Sequence, residues 1–377
     1  MKVLHVIPSL SPIYGGPSFS TRHMVEALAA LGVDLHVAST TANGRSESRM
    51  PLDRPVVDGG VRYFYFPRQH PKSWTFSWPL TRWLAQHAHA YDVLHVHALF
   101  SYPTLPACWA ARRTGVPYVL SPHGTLDPWS LRFRAWKKAP YLRVLERRNL
   151  LGAAAVHAVS SQEQRAVEAL GLPIRAVTIP HGVNAPAIRD AEGRRRRSPA
   201  TDDAVNILFL SRLHPKKGLE LLLEAVEALT GKLHLRLVVA GDGDAAYVKR
   251  LQARSGSARL KKVVSFVGFV DGAEKERLLQ EADLFVLPSY DENFGMAVAE
   301  AMSESLPVVV SEHVALADQV TAAGAGIVVP CDAGKLAQAI DMLARNQGLR
   351  HRMGTAGRRL VEAEFSWSEV GKRLKQL

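Results

Sequence analysis

Two glutamates with seven residues between them stand out in the segment ADLFVLPSYDENFGMAVAEAM, residues 282–302. The apolar run before Pro288 predicts a buried strand, and a helical pattern begins near Gly295. Glu292 then lies in the loop at the carboxyl end of the strand, and Glu300 lies between one and two turns into the helix. Carboxylates beside the N–H groups of a helix start suit a polyhydroxylated ligand, because they accept hydrogen bonds from its hydroxyls. An acidic start also stabilises a helix dipole, and Glu300 alone is open to that interpretation.

A second segment, ILFLSRLHPKKGLELLLEAV (residues 207–226), combines a strand, a basic loop and a helix. Arg212 and Lys217 are separated by four residues, and Gly218 permits a tight entry into the helix. Two cations beside a helix start suit a diphosphate, whose negative charge is costly to bury without partners. An ordinary basic loop between a strand and a helix is the alternative for this segment taken alone.

Two loops in the first half of the chain carry further candidates. Gly15 and Gly16, in SPIYGGPSFS, follow the first predicted strand, and their missing side chains let the backbone approach a ligand closely. His123, in SPHGTLDP, follows another buried strand, where its imidazole can hydrogen-bond a ligand. A glycine pair and a single histidine are common in turns and cores, so their assignment depends on the rest of the chain.

These loops need strands and helices to hold them. Short β-branched runs alternate with helical patterns through both halves of the chain, which indicates parallel sheets covered by helices on both faces. The predicted strands are residues 3–7, 35–39, 61–66, 93–97, 118–121, 155–160, 176–180, 206–210, 235–240, 263–268, 284–288, 308–311 and 327–330. We predict an α/β protein of two Rossmann-like, doubly wound domains, with the ligand in a cleft between them at the carboxyl ends of the strands.

A change of composition divides the chain, whose 377 residues suit two domains. Residues 185–201 hold five arginines, two acidic residues and no apolar period, as is typical of a solvated linker. We therefore predict an N-terminal domain over residues 1–184, a linker over 185–204, a C-terminal domain over 205–364 and a terminal helix over 365–377.

The composition excludes several classes of protein. With 47% hydrophobic and 22% charged residues, the chain has the composition of a globular protein with a buried core. Two distant cysteines exclude a disulfide scaffold and give no metal-ligand spacing. No apolar run is long enough to span a membrane, and the N-terminal run is too short for a signal peptide. We expect a cytoplasmic protein without a resident metal.

The net charge of +12 is concentrated in the first half of the chain. Residues 1–180 hold 20 of the 47 basic residues and only 10 of the 35 acidic ones. Within residues 129–150, the basic aromatic segment, seven lysines and arginines accompany one acid, Glu146, and Trp129, Phe133, Trp136 and Tyr141 lie among them. We predict that this segment binds an anionic membrane surface. Single-stranded nucleic acid and an ordinary solvated helix face are the alternatives.

The segments around Glu292 and Arg212 resemble the donor site of retaining glycosyltransferases with the GT-B fold, and most closely glycosyltransferase family 4 of the bacterial polysaccharide and glycolipid type. The resemblance covers nearly the whole chain and is closest in the second half. It implies transfer of a sugar from a UDP- or GDP-sugar to a hydroxyl of a glycan or lipid-linked acceptor, in cell-surface polysaccharide or glycolipid synthesis. It also implies retention of anomeric configuration without a protein nucleophile and without a cofactor.

The resemblance implies roles for individual residues. Glu292 lies by the donor sugar, Glu300 binds the ribose hydroxyls, and Arg212 and Lys217 hold the diphosphate. His123 contacts the sugar and, with Glu292, Arg212 and Lys217, forms the predicted catalytic group. The other predicted donor-binding residues are Gly15, Gly16, Phe269, Asn293, Phe294, Gly295 and Met296. The terminal helix is expected to pack back on the first domain.

Three other functions stay open beside this one. The first is a sugar-nucleotide-binding module without catalytic activity, although the full set of donor residues argues against it. A sugar-nucleotide epimerase on the same fold would act on the donor without an acceptor. A nucleic-acid-binding protein would use the basic aromatic segment, but the chain has no RNA- or DNA-binding motif, so we expect no nucleic-acid partner. We expect the enzyme at the inner face of the cytoplasmic membrane, attached peripherally.

Overall fold

The computed structural model describes residues 1–132, 134–184 and 204–377. These residues separate into two compact units, Met1–Gly182 with Trp367–Leu377, and Val183–Ser366. The predicted linker, residues 185–204, lies outside the described residues except for Ala204.

The strands of the first unit are β1 (Lys2–Ile7), β2 (Asp34–Thr40), β3 (Ala42–Asn43), β4 (Ser46–Glu47), β5 (Val56–Asp58), β6 (Val61–Phe66), β7 (Val93–His97), β8 (Tyr118–Ser121), β9 (Ala155–Ala158) and β10 (Ala176–Thr178). Eight of them form one sheet with the order β10-β9-β8-β7-β1-β2-β6-β5, and β3 and β4 form a separate hairpin. Neighbours in the sheet pair in parallel, apart from β5, which pairs antiparallel with β6. Side chains of β1 alternate between two cores, Leu4 and Val6 in one, Val3 and Ile7 in the other, because helices cover both faces.

The helices of this unit connect successive strands. They are α1 (Gly16–Ala30), α2 (Trp78–His87), α3 (Thr104–Thr114), α4 (Pro128–Arg132), α5 (Ala135–Tyr141), α6 (Arg147–Leu151) and α7 (Ser161–Glu168), with 3-10 turns at Pro12–Tyr14, Lys72–Trp74 and Ala88–Ala90 and a π turn at Leu142–Glu146. Gly15 caps helix α1, and Pro17 occupies its first turn, where proline is favoured.

The strands of the second unit are β11 (Val205–Leu210), β12 (Leu235–Ala240), β13 (Val264–Gly268), β14 (Leu284–Leu287), β15 (Val308–Ser311) and β16 (Gly326–Val329). They form a six-stranded parallel sheet with the order β13-β12-β11-β14-β15-β16. Its helices are α8 (Leu219–Leu229), α9 (Ala245–Ser255), α10 (Gly272–Glu281), α11 (Met296–Ser303), α12 (Ala317–Ala323), α13 (Ala333–Arg345) and α14 (Gln347–Leu360), with a 3-10 turn at Pro215–Lys217 and a π turn at Val361–Phe365. The predicted α/β class with two doubly wound parallel sheets is confirmed.

The C-terminal helix α15 (Trp367–Gln376) belongs to the first unit, where it packs on α1. Trp367 and Val370 are buried in the core between α1 and the sheet. Gly182 leaves room for the Trp367 indole, since a Cβ there would lie 2.3 Å from a ring carbon. Gly371 likewise lets the backbone of α15 approach α1.

Candidate active site

In the second unit, the predicted basic loop between β11 and α8 is folded tightly against the end of β14. Gly218 has a left-handed backbone with φ of 68°, and a Cβ at this position would lie 2.1 Å from the carbonyl oxygen of Pro288. The Tyr290 N–H donates to the Lys216 carbonyl over 2.7 Å. Glycine is therefore required here for two reasons, the backbone angle and the close approach.

Two adjacent lysines of this loop each face an acid of the loop after β14. The Lys216 Nζ lies 2.7 Å from an Asp291 carboxylate oxygen, and the Lys217 Nζ contacts the Glu292 carboxylate. Lys217 and Asp291 are buried, and a buried charge is stable only beside an opposite one. The contact between Lys217 and Glu292 brings together two of the predicted catalytic residues.

The backbone of Glu292 is fixed by the loop that follows β15. The Glu292 N–H donates to the His313 carbonyl over 3.1 Å, and the Glu292 carbonyl accepts from the Ala315 N–H at 3.0 Å. Gly295, with φ of 96°, then turns the chain into α11. These bonds fix the Glu292 backbone at the point from which its side chain reaches Lys217.

The start of α11 contains the other predicted donor-binding residues of this loop. Asn293 is half-buried, and Met296 is the first residue of the helix. The Phe294 ring is buried and packs edge-on against Phe365, with centroids 5.7 Å apart. Because the ring is buried, Phe294 can contact a ligand only through its backbone.

Glu300 lies in the second turn of α11 and pairs with Lys275 of α10 over 2.8 Å. Both side chains are partly exposed. Arg212 is exposed on the β11 loop, and Phe269 directly follows β13 with 58% of its surface exposed. Because carboxyl ends of parallel strands meet at one sheet edge, these residues share that edge with Lys217 and Glu292.

Sequence reasoning did not select several polar residues of this edge. Lys216 and Asp291 are ion-pair partners within the loops that it did select, and Lys275 of α10 is the partner of Glu300. His214 accepts a hydrogen bond from the Lys216 N–H at 3.2 Å, and burial together with Arg212, Lys216 and Lys217 lowers its pKa. The sequence gives one indication of these ion pairs. Two adjacent lysines, Lys216 and Lys217, and two adjacent acids, Asp291 and Glu292, can hold two loops together by forming two ion pairs.

In the first unit, the glycine pair lies at the start of α1, in the connection that follows β1. Gly15 has φ of 77°, which disfavours other residues, and it caps the helix. Space around a Cβ at Gly15 or Gly16 is open, since no heavy atom beyond the chain neighbours lies within 4 Å. Packing in the described structure therefore does not require a glycine at Gly16.

His123 follows β8 and has a left-handed backbone, with φ of 54°. Gly124 continues this loop, and its N–H donates to the Glu163 carboxylate. The same carboxylate accepts from the Val159 N–H at 2.7 Å, so Glu163 holds the loop against the start of α7. A left-handed conformation in a non-glycine residue costs energy and is typical of functional loops.

His123 belongs to a cluster of histidines contributed by β1, β7 and β9 and by the residues after β8 and β10, and sequence reasoning missed the other members. Its members are His5, His95, His97, His123, His157 and His181. Burial lowers the pKa of His5 and of His123 to about 3, and it lowers the pKa of the other four. The imidazoles are therefore neutral at pH 7. Histidines that recur in several predicted strands were the available signal.

The basic aromatic segment spans α4, α5, the π turn and α6. Trp136 is 75% exposed, with the Lys137 Nζ 4.8 Å from its ring centroid. Glu146 points inward instead, where it accepts from the Phe100 N–H at 2.7 Å. Phe133 lies outside the described residues. Among the residues that the structure describes, no helix combines the length and apolarity needed to cross a membrane.

Comparison with known proteins gives matches over both halves of the chain. Residues 15–182 match the family described as the glycosyl transferase 4-like domain, and residues 190–360 match the glycosyl transferases group 1. The chain is 27% identical to the phosphatidyl-myo-inositol mannosyltransferase of Mycobacterium leprae, with 100% of this chain and 96% of the relative covered. It is 30% identical to the D-inositol 3-phosphate glycosyltransferase of Stackebrandtia nassauensis, with 75% of this chain and 67% of the relative covered.

Solved structures share the fold. The sucrose-phosphate synthase of Thermosynechococcus elongatus superposes with a TM-score of 0.81 and 22% identity, covering 100% of this chain and 98% of the other. HepE of Anabaena, in complex with UDP and glucose, superposes with a TM-score of 0.79 and 20% identity over the same shares of the two chains.

Proposed function

Because this chain belongs to the GT4-type glycosyltransferases with the GT-B fold, we propose that it is a retaining enzyme that transfers a sugar from a UDP- or GDP-sugar to a hydroxyl of a glycan or lipid-linked acceptor. The observation that carries the proposal is the contact between Lys217 and Glu292 at the carboxyl edge of the second sheet. It joins a cation suited to a diphosphate with a carboxylate suited to a sugar.

Lys217 and Arg212 are assigned to the diphosphate. The Lys217 ammonium is buried, so its attraction for a second anion is weakly screened. Arg212 is exposed on the same loop, and its guanidinium can bind phosphate oxygens in a bidentate manner. Negative charge grows on the diphosphate as the sugar leaves, and two fixed cations stabilise that change.

Glu300 and Glu292 are assigned to hydroxyl groups. The partly exposed Glu300 carboxylate would accept hydrogen bonds from the ribose, while Glu292 would accept from the donor sugar. The backbone N–H groups at Asn293, Phe294, Gly295 and Met296 would serve donor oxygens, and Phe269 would lie beside the base. His123 is assigned to the sugar, and Gly15 and Gly16 to the phosphates and acceptor, on the family resemblance.

A panel of UDP-, GDP- and ADP-sugars tests the donor site by thermal shift. We expect one nucleotide class to raise the melting temperature, because a ligand at 100 times its Kd stabilises the native state by about 2.7 kcal/mol. UDP-glucose is the first donor to test, since HepE binds it. Glu300→Ala should weaken that binding by about 10²-fold, through the loss of charge-assisted contacts of about 3 kcal/mol.

Glu281→Ala is the matched control for Glu300→Ala. Glu281 also pairs with a cation, Arg277, but its side chain is 55% exposed at the far end of α10. Its loss should leave donor binding unchanged. Equal affinity in the Glu300 and Glu281 variants would remove Glu300 from the donor site, and an inverted anomeric centre in the product would exclude the retaining mechanism.

The basic aromatic segment is proposed to hold the enzyme at the inner face of the cytoplasmic membrane, where a lipid-linked acceptor would be found. The exposed Trp136 ring and its neighbour Lys137 pair an apolar surface with a cation. Each basic residue near an anionic leaflet contributes about 1 kcal/mol, so several together give reversible attachment. Two exposed apolar side chains of the same segment, Trp129 and Val144, add contact area.

Co-sedimentation with anionic vesicles tests this attachment. We expect binding at low salt that weakens at high salt, and a loss of about fivefold or more when Trp136 and Lys137 are both changed to alanine. The matched control changes Trp109 and Arg113, another exposed tryptophan with a cation over its ring, at 5.5 Å. Protein that stays in the supernatant at low salt would indicate a soluble acceptor instead.

A further inference from the structure

Three of the clustered histidines form a hydrogen-bonded chain that ends at His123. The His123 Nε2 lies 2.9 Å from the His97 Nδ1, and the His97 Nε2 lies 2.9 Å from the His5 Nδ1. Adjacent rings are nearly parallel, with interplanar angles of 18° in both pairs. The chain runs from the loop after β8, through β7, to the middle of β1.

The two ends of this chain have no hydrogen-bond partner among the residues that the structure describes. These ends are the His5 Nε2 and the His123 Nδ1, and both atoms are buried. A neutral imidazole has one N–H donor and one acceptor nitrogen. Each internal contact needs one donor and one acceptor, so the three rings carry their protons either all on Nδ1 or all on Nε2. The tautomer of His123 is thereby coupled to that of His5.

We propose that His97 and His5 are positioning residues that hold all three imidazoles in the Nδ1–H tautomer, so that His123 presents an N–H to its ligand. The assignment of that ligand as the donor sugar rests on the proposed function. The hydrogen-bonded chain of three histidines depends only on contacts within the first unit.

The difference between the two ends of the chain decides which tautomer is favoured. In the Nε2–H arrangement, the unsatisfied N–H belongs to His5, which is 0% exposed within a central strand. In the Nδ1–H arrangement, the N–H belongs to the His123 Nδ1. This atom is also buried, but its residue is partly exposed in a loop at the sheet edge, where a ligand can approach. A buried N–H without a partner is costly, whereas a donor in the loop can reach a ligand. Low pKa values keep the rings neutral and preserve the choice between two tautomers.

A metal site is another interpretation of this histidine cluster, but the geometry of the cluster disfavours it. The ligand nitrogens of His5, His95 and His97 lie within 4.8 Å of one another. The His95 and His97 rings stack, however, at 4.3 Å, and the His95 Nε2 is hydrogen-bonded to the Ser121 hydroxyl at 2.7 Å. Stacked rings whose nitrogens already bind one another do not direct three lone pairs at one ion.

Imidazole nitrogen chemical shifts, measured by NMR on the full chain with labelled histidine, test the proposal without substrate. The wild-type protein should show protonated Nδ1 and unprotonated Nε2 nitrogens at His5, His97 and His123. Protonated Nε2 at His5 and His123 would overturn the proposal. This spectrum decides the tautomer even where a variant does not fold.

Two substitutions of His5 separate hydrogen bonding from packing. His5→Phe removes the donor to His97, and we expect a mixture of tautomers at His123 with kcat about tenfold lower and little change in the donor KM. His5→Asn replaces the Nδ1–H by an amide N–H and should restore both properties. His36→Asn is the control, because His36 is a buried histidine of β2 that is hydrogen-bonded to Tyr91 and is not part of the three-histidine chain. Identical behaviour of the Phe and Asn variants would contradict a positioning role.

The variant His123→Ala distinguishes failure of this inference from failure of the proposed function. It should lose turnover while keeping nucleotide affinity. Normal turnover of His123→Ala, together with the expected tautomers, would overturn the assignment of His123 to the sugar and would leave the coupled tautomers established.

Discussion

Replacing Lys217 by alanine should lower the rate of sugar transfer by about 10²-fold or more, because a charge-assisted contact to the leaving diphosphate is worth about 3 kcal/mol. The substitution also leaves the Glu292 carboxylate, which is partly buried, without its cation. Repulsion between that carboxylate and the diphosphate then adds to the loss. Initial rates with the donor identified by thermal shift measure the effect.

Lys216→Ala is the matched control for Lys217→Ala. Lys216 is the preceding residue and also pairs with an acid, Asp291, but it is not assigned to the donor. Its loss should lower the rate much less than the loss of Lys217, although it loosens the same loop. Lys217→Arg keeps the charge and should recover part of the rate. Equal rates for Lys216→Ala and Lys217→Ala would show that general charge, and not a contact of Lys217, attracts the donor.

Gly218→Ala should destabilise the second unit by about 3 kcal/mol or more. The left-handed backbone contributes about 1 kcal/mol of this cost, and the overlap of the new methyl with the Pro288 carbonyl contributes the remainder. The turn that carries Lys217 must move away from β14 to relieve the overlap, so transfer activity falls as well. Denaturant unfolding gives the stability change directly.

Gly324→Ala separates the two causes of that cost. Gly324 also has a left-handed backbone, with φ of 64°, and caps α12, but the space around its Cβ position is open. The Gly324→Ala variant should lose only about 1 kcal/mol of stability, because of the backbone conformation alone. If both glycine variants lost the same stability, the contact with Pro288 would not be what fixes the basic loop.

Most of the strands were predictable because they are short apolar runs between turn residues, and every predicted strand is present. Strands β3, β4 and β5 were not predicted, since they are two or three residues long and partly polar. An apolar period is not detectable over so few residues. The loops that follow β11 and β14 were selected for their charges, which a single sequence displays directly.

The contacts between those loops depend on the order of strands in the sheet. Lys216 and Asp291 are 75 residues apart in sequence, and they meet because β11 and β14 are neighbours. The register partner of His5 is His95, which likewise follows from the pairing of β1 with β7. Periodicity indicates that a residue is in a strand, but it does not say which strand lies beside it. The histidine chain was therefore invisible until the sheet order was known.

The position of α15 has a consequence for folding during synthesis. Helix α15 completes the core of the first unit, yet residues 183–366, the whole second unit, are synthesised before it. The second unit is continuous in sequence and can fold as its own chain emerges, since domains generally fold as units. Meanwhile, the surface of α1 that receives Trp367 and Val370 stays uncovered on the ribosome. The synthesis of the first unit thus begins before that of the second unit, but its fold is completed after it.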